Sequence, residues 1–76
     1  MTWNYRVVHT TEDEEEAFAI YEVFYDEQGE PEARTESPSY PAGANIEALR
    51  EDVRHYLAAL DQPVLEDHLF PRHPAP

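Results

Sequence analysis

Carboxylates are the side chains here most able to do chemistry. Glu12, Asp13, Glu14, Glu15 and Glu16 follow one another without a break, and Asp26 and Glu30 flank Gly29. Such density would hold a divalent cation if the oxygens alternated around a glycine turn, as calcium loops require. The first run contains no glycine and the second lacks the other ligands, so both read as solvated turn residues. His68 and His73 have no cysteine pair before them, and His9 and His55 stand in separate segments. A zinc site needs well-spaced cysteines or histidines, so no metal is expected. Ser37 and Ser39 sit without the glycines of a nucleophile elbow. Gly29 and Gly43 are the only glycines, which leaves no phosphate-cradling loop. Paired carboxylates need a cleft to separate their pKa values, and Glu22 is better assigned to an ion pair with Arg34. The expectation is a protein that is not an enzyme and carries no cofactor.

The chain has 76 residues, enough for one domain. A domain of that size buries roughly 60% of its unfolded surface, so its core alone gives marginal stability. Disulfides are closed to it because it has no cysteine, and that leaves self-association as the expected aid. Missing cysteine also suits a reducing compartment. Charge is one-sided: 17 acids oppose five arginines, lysine is absent, and the net charge is −12. Nucleic acid and anionic membranes call for a basic footprint, so neither is an expected direct partner. A basic protein partner is compatible with the charge, as is plain solubility. No apolar run approaches the eighteen or so residues of a membrane span, and the opening residues lack a signal-peptide core. The sequence therefore predicts a cytoplasmic protein.

The pattern predicts an α+β fold, a three-stranded antiparallel sheet in β-β-β-α order with one helix packed on one face. Trp3 to His9 has the aromatic and β-branched residues of a strand. Thr10 to Glu16 reads as the hairpin connection, and Ala17 to Tyr25 as the second strand. Asp26-Glu27-Gln28-Gly29 is a type I turn with Gly29 in the left-handed position. Glu30 to Ser37 follows as an edge strand, since Pro31 has no N–H to give to a ladder. Ser37 to Gly43 is a loop. Asn45 then stands as N-cap before Ile46, Leu49, Val53, Tyr56, Leu57 and Leu60, whose spacing is that of a helix buried along one side. Pro63 stops it. Residues 1–65 form the expected domain and 66–76 a proline-rich flexible tail.

That turn implies a register with Val23 opposite Ala33, Tyr21 opposite Thr35 and Glu22 opposite Arg34. The helix is expected over Trp3, Tyr5, Val7, Tyr21 and Val23, where Ala17 and Ala19 allow close approach. The other face then presents Val8, Phe18, Ile20 and Phe24, a candidate interface for a homodimer packed sheet to sheet, the alternative being edge-strand pairing. Leu65, Leu69 and Phe70 folding back over that face is the competing arrangement.

The opening Trp3-Asn4-Tyr5-Arg6-Val7-Val8, the hairpin Glu22-Val23-Phe24-Tyr25-Asp26-Glu27-x-Gly29 and the Leu49–Leu60 helix followed by Gln62-Pro63-Val64-Leu65 resemble a group of small bacterial proteins. The resemblance covers residues 3–65 and brings no function with it. More distantly, the element order is similar to the partial ribonuclease-H-like fold of HicB-type antitoxins. From the residues themselves two functions follow. One is an interaction module, a homodimer that binds a protein partner through its acidic surface or free sheet edge. The other is an inhibitor that mimics nucleic acid, with Glu12, Asp13, Glu14, Glu15, Glu16, Glu32 and Glu36 as its acidic surface.

Overall fold

The computed structural model describes residues 2–70. It is α+β, with strands β1 (Thr2–Glu12), β2 (Glu15–Tyr25) and β3 (Pro31–Arg34), helix α1 (Ile46–Ala59), strand β4 (Leu65–Glu66) and a single 3₁₀ turn at Asp67–Leu69. The sheet has four strands in the order β3-β2-β1-β4, rather than three. It is also mixed: β1 pairs antiparallel with β2 but parallel with β4. As expected for a strand opened by proline, β3 lies at an edge.

The first hairpin is tighter than its composition implies. Glu12 pairs with Glu15, so the connection is only Asp13 and Glu14, at φ 53° and 67°. Two successive left-handed residues make a type I′ turn, the form whose twist matches a hairpin. A two-residue turn pairs odd-numbered residues with even-numbered ones: Trp3 with Phe24, Tyr5 with Glu22, Val7 with Ile20, His9 with Phe18. One face of the sheet therefore carries those eight residues. The other carries Arg6, Val8, Ala19, Tyr21, Val23 and Arg34.

The second turn keeps Gly29 left-handed, at φ 83°. Its Asp26 Oδ1 accepts from the N–H groups of Gln28 and Glu30, each at 2.9 Å. Beyond it, Tyr25 pairs with Pro31 but Phe24 with Ala33. Glu32 is thus an extra residue, a β-bulge, and it shifts the ladder by one. Val23 consequently faces Arg34 rather than Ala33, and the expected Glu22–Arg34 pair does not form. Thr35 instead donates its N–H to the Glu22 carbonyl at 3.0 Å.

Helix α1 starts where the sequence says it should. Asn45 is extended and its Oδ1 accepts from the Ala48 N–H at 2.8 Å, a cap worth about 1 kcal/mol. Gly43 lets the loop lie against the first turn, since a Cβ there would sit 2.5 Å from the Leu49 nitrogen. The helix is rolled from its expected orientation. Tyr56 and Ala59 are buried, whereas Ile46, Leu57 and Leu60 stay 59%, 58% and 62% exposed. It packs on β1, with the Tyr56 ring stacked on Tyr5 at 4.3 Å. Tyr21 and Val23, expected beneath it, lie on the opposite face.

That opposite face is closed by the end of the chain. Val8, Tyr21, Val23 and Phe70 form the core cluster, with Ala19, Tyr25 and Leu65 packed against it. Arg34 is buried among them, its guanidinium 4.6 Å from the centre of the Tyr21 ring and its Nε 2.8 Å from Asp67 Oδ1. The packed unit extends through Phe70, five residues past the expected limit at residue 65. Of the expected tail, residues 71–76 lie outside the described residues.

Candidate functional site

The residues proposed as an interface do not form one surface. Val8 is fully buried beneath Phe70 and faces away from Phe18, Ile20 and Phe24. Ile20 and Phe24 are half-buried on the helix side, and only Phe18 is exposed, at 63%. The acidic residues divide as well. Glu12 to Glu16 occupy the Asp13–Glu14 end of the hairpin, while Glu32 sits beside Thr2 and Gly29 at the other end of β2. Glu36 is exposed after β3. Among the described residues, no group of three or more His, Cys, Asp or Glu side chains is placed to hold a metal ion. Ser37 is exposed, and Ser39 donates its N–H to the Ile20 carbonyl at 2.8 Å.

At the hairpin end, His9 is held between two carboxylates. Its Nδ1 is 2.8 Å from Glu66 Oε1 and its Nε2 is 2.8 Å from Glu16 Oε1. An imidazole can donate to both only when both nitrogens carry protons. Glu66 and then Glu16 accordingly raise the His9 pKa above its usual 6.5. The ring also stacks on Phe18, with centroids 4.6 Å apart. This clamp ties β2, β1 and β4 together from one side chain.

The other end of β1 is built differently. The carbonyls of Ile20 and Glu22 point toward β3, where they accept from Ser39 and Thr35. Backbone groups alternate direction along a strand, so odd-numbered β2 residues serve β1, and even-numbered β1 residues receive them. Trp3 and Tyr5 therefore turn their N–H and C=O groups toward the remaining edge. Along that edge β4 pairs with Val8 and His9 only. Arg6 closes the boundary, with Nη2 2.7 Å from the Pro63 carbonyl and Nη1 3.0 Å from the Tyr25 hydroxyl. From Thr2 to Tyr5 the edge has no paired strand among the described residues.

Compared with family models, curated proteins and solved structures, the chain matches none. The geometry itself must supply the reading.

Beside the open edge lies a cleft of about 310 Å³ between Trp3, Asn4 and Tyr5 of β1 and His55, Ala58, Ala59 and Gln62 at the helix end. Trp3 stands half exposed with its ring edge-on to Tyr5 at 5.3 Å, and Tyr5 in turn stacks on Tyr56. Burial, the Tyr56 hydroxyl and the nearby carboxylates of Asp52 and Glu22 push the Tyr5 pKa up to about 12. The phenol is therefore neutral across the physiological range. Sequence reasoning placed Trp3 and Tyr5 under the helix but missed the cleft. Its signal was Ala58-Ala59, two small side chains where the apolar stripe meets an aromatic strand.

Proposed function

We propose that this protein is a non-enzymatic interaction module that accepts an extended segment of a protein partner along the open edge of β1. The observation that carries the reading is the outer edge of β1 at Trp3 and Tyr5, which has no paired strand among the described residues and runs beside a helix-walled cleft. An extended peptide added to a sheet edge gains main-chain hydrogen bonds for affinity and a side-chain pocket for selectivity. Unprotected edges are otherwise blunted by charge, proline or cover, and Trp3-Asn4-Tyr5 has none of these on its own residues. The fold also contains no helix long and apolar enough to cross a membrane among the described residues, so a membrane-spanning helix plays no part in the reading.

The test is selection from a displayed library of random peptides, followed by mapping of amide shifts on the full chain. Selected peptides should perturb and protect the amides of Trp3 and Tyr5, with smaller shifts at His55 to Gln62. Shifts confined to the acidic hairpin end would overturn the proposal. Self-association is the competing occupant of the edge. Light scattering that gives a dimer whose Trp3 and Tyr5 amides are already protected would assign the edge to a second copy. A nucleic-acid mimic draws no comparable support, because its carboxylates fall in separate groups, at the two ends of β2 and after β3.

A further inference from the structure

Resting on that reading, we infer that the cleft takes a cationic side chain, arginine or lysine, from the docked strand, so that the partner segment is basic. Several features of the molecule converge on this. The cleft's exposed wall is the indole of Trp3, the ring type that binds cations most strongly over its face. Tyr5 holds the indole through an edge-to-face contact and is itself fixed in place by its stack on Tyr56.

Among the described residues, no guanidinium lines the cleft to compete. Its one ionisable helix residue, His55, has its Nε2 3.7 Å from Glu51, and Arg54 is ion-paired to the same glutamate at 2.8 Å. Arg6, nearest along the strand, is engaged by Tyr25 and Pro63. Among the described residues the carboxylates around the site have no salt bridge to a cation, although Asp52 accepts from the Ala42 N–H and Asp26 from those of Gln28 and Glu30. Asp52 and Glu22 bear on Tyr5 from within, and Asp26, Glu27 and Glu32 line a hollow reaching Thr2 at the start of the edge.

The whole chain adds the long-range term. A net charge of −12 without a single lysine draws basic segments in and repels acidic ones before contact. An apolar side chain would fill the same volume but gain nothing from the surrounding carboxylates. A cation gains from both the indole and the field.

Trp3 is the only tryptophan, so its fluorescence reports on the cleft directly. The probe is a short alternating valine–threonine peptide with arginine at its centre, titrated into the full chain beside versions with glutamine and norleucine there. The arginine peptide should change Trp3 emission saturably, bind about tenfold more tightly than the other two, and weaken as salt rises. Equal binding of all three would overturn the choice of a cation while leaving edge docking intact. Failure of all three, with Trp3 and Tyr5 amides unmoved, would overturn edge docking itself. In Ala58→Arg, the variant's own guanidinium occupies the cleft from an exposed helix position, and the arginine preference should vanish. If the preference survives in a folded Ala58→Arg protein, the cleft is not where the cation goes.

Discussion

At Val8 and His9, β1 has a strand on either side; at Trp3 and Tyr5 it has β2 alone among the described residues. The first region uses its edge on the chain's own Leu65 and Glu66, locks it with two carboxylates on one histidine, and covers Val8 with Phe70. The second leaves its backbone groups outward and sets aromatic rings beside them. One strand thus serves as core at one end and as a free edge at the other. A short fourth strand is what divides them, because two residues of pairing satisfy only part of an eleven-residue edge.

Breaking the closed end should have the largest effect. Phe70→Ala removes a ring that is 5% exposed and should cost about 3 kcal/mol, read as a lower urea midpoint with faster amide exchange at Leu65. A midpoint that barely moves would show that the chain's end does not close this face. Asp67→Ala comes next. It removes the carboxylate from Arg34 Nε, while the carbonyls of Thr35 and Glu36 still accept from Nη1, and should cost about 2 kcal/mol. The loss stays below that of a fully buried pair because Asp67 keeps 30% exposure.

Two substitutions sharpen the contrast. Glu14→Gly relieves a left-handed residue at φ 67° and should stabilise the hairpin by about 1 kcal/mol, seen as a higher melting temperature. A lower melting temperature would argue against the I′ turn. At the open end, Trp3→Ala should cost no more than about 1 kcal/mol, since half the ring is already in water. A loss as large as that of Phe70→Ala would mean Trp3 is core rather than edge.

The smallest effect is one of pH. Glu66 and Glu16 raise the His9 pKa in the folded state, so the clamp's contribution is complete below 6.5 and fades as pH rises through the raised value. His9→Gln should therefore differ most from the parent in urea midpoint at mildly acidic pH and least at alkaline pH. A difference that stays constant across that range would remove the clamp from the account.

The parts legible in advance were those held by near neighbours. Asn45 caps Ala48 three residues on, and Gly29 answers the backbone of its own turn. The face assignment failed for a reason that is equally specific. Asp13-Glu14 carries no glycine or asparagine, so nothing local marked it as a two-residue turn, and the parity of the whole hairpin depended on it. The candidate site shared that fate. Trp3 and Tyr5 were placed correctly against the helix, but the edge beside them was not visible without knowing where β4 stops.

What the sequence by itself determined is the helix with its cap, the edge position of β3 behind Pro31, the Gly29 turn and the acidic, cysteine-free surface. Each follows from interactions within a few residues or from composition alone. The tertiary structure decided the register, the bulge at Glu32, the roll that leaves Leu57 and Leu60 exposed, and the return of residues 65–70 beside β1. Those choices rest on contacts far apart in the chain, where a single residue of turn length moves every side chain to the opposite face.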